Sequence, residues 1–259
     1  MICARIKSST FRGIVDAISE IVDAVVMTFT ESGIVLQAMD ASHVCLCFLD
    51  LNSEGFAEYV CRDAVSVGVP ITTMSKIFKC STSEDNLCIR IGEGNSEADR
   101  MTLEFSNSCR TSEFQMRLMD IDADYIEVPD LACDCTLRVP TVEFQKIVRD
   151  ANIVGDTCEL RVDESGVVFS ASGDMGDASF ALVRKGEGGE DEDKDVFFEG
   201  EGRGRFSTKY LQLFAKATPL CKSLSMKLPD GAPLCLEYEM GVLERLRYYL
   251  APKIEDEED

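Results

Sequence analysis

Apolar residues recur at positions i, i+3 and i+4 in four short stretches of the chain, and this spacing predicts four short helices, each with one apolar face. The four apolar triplets are Phe11, Ile14 and Val15; Met74, Ile77 and Phe78; Phe144, Ile147 and Val148; and Leu211, Phe214 and Ala215. Between these stretches, segments such as MTLEFS and FQMRLM alternate apolar and polar residues, which predicts short strands. The pattern predicts an α+β fold in which a few short helices pack on one face of antiparallel sheets.

Two of the predicted helices have hydroxyl residues near their expected starts. Serine and threonine side chains commonly accept a hydrogen bond from the first free N–H groups of a helix. Thr72 or Thr73 is therefore the predicted N-cap of the helix that carries Met74. Ser207 or Thr208 is the predicted N-cap of the helix that carries Leu211.

Two sequence patterns occur twice, in the same order and at the same spacing. FRGIVDA begins at Phe11 and FQKIVRDA at Phe144, while ESGIVLQA begins at Glu31 and ESGVVFSA at Glu164. In both cases the copies are 133 positions apart, from 11 to 144 and from 31 to 164. The repeat predicts two similar halves, each with a helix followed by a hairpin that turns at Glu-Ser-Gly.

The side of each predicted helix that lies opposite its apolar triplet is rich in basic residues. With the first apolar residue as zero, positions +2 and +5 lie nearly opposite the triplet. These positions hold Gly13 and Asp16, Lys76 and Lys79, Lys146 and Arg149, and Leu213 and Lys216. Five of these eight residues are basic, whereas Lys and Arg make up only 26 of the 259 residues of the chain. Any solvated helix face can carry lysines, but the recurrence favours a surface that contacts phosphates without reading sequence.

The total charge opposes this interpretation, because 47 acidic and 26 basic residues give a net charge of −21. Such a chain is not expected to grip nucleic acid by charge alone. Nucleic acid would be repelled everywhere except at the helices. An acidic protein can tolerate such weak contact if topology, and not affinity, keeps it on DNA.

Several other classes of protein are disfavoured. The sequence has no apolar run of 18 residues and no apolar N-terminal signal segment, which predicts an intracellular protein. The twelve cysteines are then expected to be reduced and to serve as small apolar residues, including the pairs Cys45–Cys47 and Cys133–Cys135. With His43 as the single histidine, a zinc site is not expected. An enzyme and a bound cofactor are not expected either, because the chain has no Walker A loop and no strand–GxGxxG–helix unit.

Several segments closely resemble the eukaryotic sliding clamps of the proliferating cell nuclear antigen family. They are LQAMDASHV at 36–44, SEGF at 53–56, MSKIFKC at 74–80, MRLMDID at 116–122, FSASG at 169–173, KATPL at 216–220 and YYLAPKIEDEE at 248–258. The resemblance implies a homotrimeric nuclear ring without catalytic activity, which encircles duplex DNA, serves as a processivity factor for DNA polymerase and docks replication and repair proteins. It implies an N-terminal clamp domain at 1–118, a linker at 119–134, a C-terminal clamp domain at 135–254 and an acidic tail at 255–259. An ATP-driven clamp loader is expected as a further partner, since a closed ring must be opened.

The resemblance also assigns roles to individual residues of this chain. The side chains expected to face DNA phosphates are those of Arg12, Lys76, Lys79, Lys146, Arg149, Lys209 and Lys216. The pocket for the short motif of partner proteins is expected at Met39, His43, Val44, Leu46, Ile126, Val128, Pro129, Ala232, Pro233, Tyr249, Ala251 and Pro252. Apolar and aromatic groups around a cleft suit a partner that inserts aromatic anchors.

The seam between subunits is expected to join two strands at sheet edges. The segment CRTSEFQMR, from Cys109, would pair with DASFALV, from Asp177, of the next subunit, and this pairing would remove two exposed edges. The residues expected at the seam are Ile77, Cys80, Cys109, Arg110, Phe114, Val148, Ala151, Val154, Asp177 and Phe180.

The chain departs from the family pattern at several positions. Gly13 and Ser19 stand where many relatives have lysines, so the first helix is expected to contribute less to DNA contact. Glu164 stands where many relatives carry a lysine that accepts ubiquitin-like modifiers, and Cys133 stands where the linker often has a tyrosine. Residues 186–204 are unusually rich in glycine and acid, which predicts a mobile acidic loop, and the tail EDEED is expected to be disordered. A specialised paralogue, or a subunit of a hetero-oligomeric clamp, remains the alternative.

Overall fold

The structure is a computed structural model that describes residues 2–92, 99–121, 133, 135–182, 195–241 and 244–253. The chain divides into two compact units of similar size. The first unit comprises residues 1–41, 47–127 and 240–246, and the second comprises 42–46, 128–239 and 247–259. The repeat predicted two similar halves, and each unit indeed contains one copy of the repeated pattern. The predicted limits of the two domains, the linker and the tail stay predictions.

The first unit is built from strands and two α-helices within its described residues. Its elements are β1 Ile2–Lys7, α1 Ser8–Ser19, β2 Val25–Thr30, β3 Gly33–Met39, β4 Cys45–Asn52 (of which 47–52 belong to this unit), β5 Glu58–Cys61, β6 Val65–Val69, α2 Ile71–Phe78, β7 Asn86–Ile91, β8 Arg100–Ser106 and β9 Thr111–Arg117. One sheet has the order β5-β1-β7-β8-β9, and β4, β3, β2 and β6 follow one another in a second sheet. The predicted linker starts beside β6. The N–H of Met119 donates to the carbonyl of Gly68 in that strand at 2.8 Å.

The second unit repeats this plan. Its elements are β10 Thr136–Pro140, α3 Thr141–Val154, β11 Thr157–Asp163, β12 Gly166–Gly173, β13 Gly176–Leu182, β14 Phe197–Glu199, β15 Gly202–Ser207, α4 Thr208–Phe214, β16 Ser223–Lys227, β17 Leu234–Glu239 and β18 Glu244–Leu250 (of which 247–250 belong to this unit). A 3-10 helix, Ala215–Leu220, continues α4. One sheet has the order β13-β12-β11-β15, and β14, β10, β16, β17 and β18 follow one another in another.

The two predicted hairpins are confirmed, and a glycine closes each of them. Thr30 pairs with Gly33, and Asp163 pairs with Gly166, so the turn residues are Glu-Ser in both units. Gly33 has a φ of 144° and Gly166 a φ of 149°, which a residue with a side chain rarely adopts. A Cβ atom at Gly33 would also lie 2.0 Å from the carbonyl oxygen of Leu51. Backbone geometry therefore explains why the glycine occurs in both copies of the repeat.

The apolar triplets face the core, as their spacing predicted. In the first unit the rings of Phe11 and Phe78 stack with centroids 5.8 Å apart, which joins α1 to α2. In the second unit the ring of Phe214 stacks on Tyr248 at 4.5 Å, which fixes α4 against β18. Ile77 is half-buried, whereas the other triplet residues are buried. Burial of these apolar and aromatic side chains is the main contribution that fixes the helices on their sheets.

The starts of the helices differ from the prediction. α2 begins at Ile71, three residues before Met74, with Pro70 at the N-cap, so Thr72 and Thr73 lie inside the helix. Ser207 is the N-cap of α4, but its side chain makes no capping hydrogen bond. Instead, an N–H group in the first turn of each helix donates a hydrogen bond to a backbone carbonyl of a neighbouring segment. The four bonds run from Ser8 N to Asp85 O (3.0 Å), Thr72 N to Asp23 O (3.4 Å), Thr141 N to Lys222 O (2.9 Å) and Thr208 N to Asp156 O (3.1 Å). Because these helix starts lie inside the fold, a backbone carbonyl replaces the expected hydroxyl cap.

Seven of the twelve cysteines serve as small core residues, as expected. All twelve are free thiols, and the other five are half-buried or exposed. Burial raises the pKa of the Cys158 thiol to about 12 and that of Cys135 to about 11, which disfavours the reactive thiolate. Cys45 and Cys47 are both buried in β4.

The prediction of a mobile loop at 186–204 is wrong for its last part, which forms strands. Residues 186–194 lie outside the described part of the chain. Residues 197–199 form β14, which pairs with β10, and residues 202–204 open β15, which pairs with β11. Phe198 of β14 is half-buried between exposed Phe197 and Glu199, and Phe206 of β15 is buried; the high glycine content of the segment concealed these strands.

Candidate functional site

The two helices of the first unit lie side by side with their polar faces outward. The stacked rings of Phe11 and Phe78 join them from within, and the Ser75 Oγ donates to Asp16 Oδ1 at 3.2 Å near the surface. On the outward face, Lys76 and Lys79 of α2 are exposed, and Arg12 of α1 is half-buried. The three predicted cations of this unit are therefore presented by one pair of packed helices.

The second unit presents its cations in the same way. α3 contacts α4 and the 3-10 helix, and the Gln145 Nε2 donates to the carbonyl of Ala215 at 3.2 Å. Lys146 and Arg149 of α3 are exposed, as are Lys209 of α4 and Lys216 of the 3-10 helix. The helix spacing that placed these residues opposite the apolar triplets is confirmed; their contact with DNA stays a prediction.

Three of the seven predicted cations are paired with carboxylates on their own helix. Arg12 Nε lies 3.4 Å from Asp16 Oδ2. Lys146 Nζ lies 2.8 Å from Glu143 Oε1, and an Arg149 guanidinium nitrogen lies 2.9 Å from Asp150 Oδ1. In the described part of the chain, no ion pair involves the other four, which are Lys76, Lys79, Lys209 and Lys216.

Two carboxylates beside the α3 cations, Glu143 and Asp150, were not predicted from the sequence, and neither were two apolar neighbours of these cations. Glu143 and Lys146 are three residues apart, and Arg12 and Asp16 are four apart, which are the spacings at which side chains meet on a helix. Val142 and Ile153 are exposed large apolar residues on α3. They fall at positions −2 and +9 of the helix frame, on the same side as Lys146 and Arg149. Helix spacing could therefore have identified Glu143, Val142 and Ile153, whereas the adjacent Asp150 does not follow from that spacing.

The predicted partner pocket gathers largely at one end of a sheet in the second unit. The N–H of Ala251 donates to the carbonyl of Val44 at 3.0 Å, which places the end of β18 beside the start of β4. β17 is the other neighbour of β18, so Ala232 and Pro233, which precede β17, lie at the same end. Ala251 is half-buried, like Val44 and Ala232, and leaves part of an apolar surface accessible.

Two of the predicted pocket residues are buried beneath this surface. Leu46 and Tyr249 are both buried. Burial raises the pKa of Tyr249 to about 12, so its hydroxyl stays protonated at neutral pH. Pro252 is half-buried, and the next residue is held against β15, because the N–H of Lys253 donates to the carbonyl of Arg205 at 2.8 Å.

The remaining predicted pocket residues lie in the first unit, in an exposed turn or outside the described residues. Met39 is half-buried and belongs to the first unit. His43 is exposed in the turn before β4 and has a φ of 57°, a conformation that places its side chain at the surface of a tight turn. Ile126, Val128 and Pro129 lie outside the described residues.

The two strands expected at the subunit seam are both edge strands. β9 ends the order β5-β1-β7-β8-β9, and β13 begins the order β13-β12-β11-β15. Each therefore has one backbone side without a strand partner among the described residues. The seam residues Cys80, Cys109, Arg110 and Asp177 are exposed, and Ile77, Phe114, Val154 and Phe180 are half-buried.

Val148 and Ala151 require a correction. Both side chains are completely buried in the second unit, so neither has surface left for contact with another subunit. Val148 belongs to the apolar triplet of α3, and Ala151 follows it by three residues on the same face. They support the seam region from beneath rather than forming it.

No group of three or more His, Cys, Asp or Glu side chains among the described residues is arranged so that it could hold a metal ion. None of the described helices is long and apolar enough to span a membrane.

Comparison with known protein families identifies both halves of the chain. Residues 1–126 match the N-terminal domain of proliferating cell nuclear antigen, and residues 127–253 match its C-terminal domain. The two matches are consecutive and leave only the last six residues uncovered. The family resemblance, the two-domain α+β clamp fold and the pattern of antiparallel sheets with few short helices agree with one another. The chain therefore belongs to the proliferating cell nuclear antigen family of sliding clamps.

Proposed function

We propose that three copies of this chain close into a ring around duplex DNA and that the ring acts as a processivity factor for DNA polymerase in the nucleus. The observation that carries the proposal is the set of exposed cations on the outward faces of both helix pairs, in a chain whose net charge is −21. In an acidic protein, exposed cations on such faces provide surfaces to which phosphates are attracted. Family membership supports the same conclusion.

The ring is proposed to close through the edges of β9 and β13. Pairing of β9 in one subunit with β13 in the next would be heterologous, and such contacts form closed rings when the rotation between subunits allows it. Both edges would then be covered, which removes a surface prone to aggregation. Exposed Cys109 and Arg110 precede β9, and exposed Asp177 lies near the start of β13.

Partner proteins are proposed to dock at the surface formed by Val44, Leu46, Ala232, Ala251 and Pro252. Apolar groups there are partly accessible around buried anchors, which suits insertion of aromatic side chains from a short peptide motif. Polymerases and other replication and repair proteins would be held near DNA in this way. A clamp loader would open the ring. The family points to a scaffold without catalytic activity.

The absolute mass of the native protein tests the ring. Light scattering across a dilution series is expected to give three times the 28.6 kDa of one chain, without dissociation at the lowest concentration. A stable mass of 28.6 kDa would contradict a self-sufficient ring. That result would favour a subunit of a hetero-oligomeric clamp, and mixing with other clamp subunits would then be expected to restore assembly.

A further inference from the structure

We infer that three carboxylates on the helical faces, Asp16, Glu143 and Asp150, limit how strongly the clamp holds DNA. The inference rests on the proposed function, because it concerns the same surface. It divides the predicted DNA-facing residues into two classes. The cations of α1 and α3 are neutralised by carboxylates of the same helix, whereas Lys76, Lys79, Lys209 and Lys216 form no ion pair among the described residues.

On α1 the carboxylate occupies a position that is basic in the other three helices. Asp16 stands at position +5 of the helix frame, where the others have Lys79, Arg149 and Lys216. Its two oxygens lie 3.4 Å from Arg12 Nε and 3.2 Å from the Ser75 Oγ, so α1 and α2 together fix the side chain. The outward face of α1 therefore gains no net positive charge from Arg12.

On α3 two carboxylates neutralise two cations. Glu143 lies one turn before Lys146, and the contact between them is 2.8 Å long. Asp150 follows Arg149 directly and accepts from its guanidinium group at 2.9 Å. All four side chains are substantially solvent-accessible, so these pairs break at low energetic cost when a stronger anion approaches.

A phosphate that approaches a paired cation is also repelled by the nearby carboxylate. The phosphate interacts with a dipole rather than with a full charge, and this attraction falls off more steeply with distance. The four lysines without ion pairs offer a full charge. We therefore expect the lysines of α2, of α4 and of the 3-10 helix to provide most of the attraction to phosphates. The paired cations of α1 and α3 would give contacts weak enough for the ring to move along DNA.

Removal of the carboxylates tests this inference. The variant Asp16→Asn/Glu143→Gln/Asp150→Asn keeps every cation. A matched control, Glu164→Gln/Asp174→Asn/Glu201→Gln, removes three exposed carboxylates that form no ion pair in the described residues. Both variants change the net charge equally. Binding to a short fluorescent DNA duplex would be measured by anisotropy between 50 and 200 mM NaCl, after thermal melting has verified that each variant is folded.

The helix variant is expected to bind the duplex more tightly than the control does. The gain should be roughly 1.5- to 5-fold per removed carboxylate, the range that exposed ion pairs produce. The slope of log K against log salt should steepen by up to about 0.9 for each phosphate newly contacted. The control should gain less, because none of its three carboxylates is paired with a predicted DNA-facing cation. Equal gains in both variants would overturn the inference.

A second comparison begins with variants that leave the carboxylates unchanged. Lys146→Ala/Arg149→Ala should weaken duplex binding less than Lys79→Ala/Lys216→Ala does, since the first two cations are already paired. In the Glu143→Gln/Asp150→Asn background, the alanine changes at Lys146 and Arg149 should become more costly, which a double-mutant cycle measures. Equal losses in the native background would also overturn the inference.

The same assay separates failure of the inference from failure of the proposed function. If Lys79→Ala/Lys216→Ala leaves duplex binding unchanged, the helical faces do not contact DNA and the proposed function fails at this surface. If those changes weaken binding but the carboxylate variants behave like their control, the helices contact DNA and only the limiting role of the carboxylates is excluded.

Discussion

Reversal of Lys79, Arg149 and Lys216 to glutamate is expected to abolish most of the clamp-dependent stimulation of DNA polymerase at physiological salt. Each chain would exchange three exposed cations for three carboxylates on the helical faces. Loss of each phosphate contact lowers the slope of log K against log salt by about 0.9, and the new charges repel DNA in addition. We expect stimulation to fall by roughly an order of magnitude or more in a primer-extension assay with polymerase and clamp loader.

The control for this experiment reverses three cations outside the helical faces. Arg62, Lys227 and Arg245 are exposed, and none of them forms an ion pair among the described residues. Their triple change to glutamate lowers the net charge by the same amount. Light scattering should give the native mass for both variants. Unchanged stimulation by the helix variant, or equal loss in the control, would contradict the assignment of the helical faces to DNA.

Replacement of Ile126 and Pro252 by aspartate is expected to abolish binding of a peptide that carries the clamp-binding motif. Pro252 follows Ala251 at the sheet end where Val44 and Tyr249 lie, and a carboxylate there would have to be desolvated when an aromatic anchor enters. Changes at the centre of an interface commonly cost about 2 kcal/mol or more, which corresponds to a loss of affinity of roughly 30-fold or more. Isothermal titration calorimetry measures this loss directly.

Pro219→Asp provides the matched control, because Pro219 is an exposed proline in the 3-10 helix after α4 and lies outside the predicted pocket. This variant should bind the peptide with native affinity. The double variant should keep the native mass, since neither changed residue belongs to the predicted seam. If it retained native affinity for the peptide, the partner pocket would lie elsewhere on the chain.

The parts of the fold that the sequence predicts best are those fixed by local periodicity. The triplet of Phe11, Ile14 and Val15 predicts which face of α1 is buried, since residues three or four positions apart lie on the same face of a helix. The Glu-Ser-Gly repeat predicts both hairpins, because Gly33 and Gly166 adopt a backbone conformation that glycine favours.

Features that depend on contacts distant in sequence are predicted less well. The start of α2 is fixed by the carbonyl of Asp23, and a backbone carbonyl leaves no trace in residue type. Val148 and Ala151 were predicted to reach the seam, but a side chain's position on a helix does not reveal which neighbour covers it. The apolar surface beside Val44 was likewise inferred only from the family resemblance, because its members lie on segments far apart in the chain.

The candidate DNA surface was predicted only in part from the sequence. Helix spacing predicts that Lys76 and Lys146 are exposed, and both are. The same spacing places Glu143 one turn from Lys146, so their ion pair was accessible to the same reasoning. Counting basic residues alone overstated the charge of α3, because the carboxylates beside those residues were not subtracted.

Retention on circular DNA tests the central claim, that the protein is held on DNA by topology. Labelled protein would be loaded by the clamp loader onto nicked circular DNA, separated from free protein by gel filtration, and treated with a restriction enzyme that cuts the circle once. We expect the protein to co-elute with the circle and to be released when the DNA becomes linear, because a ring slides off a free end. Equal retention on circular and linear DNA, or no retention on either, would contradict this claim.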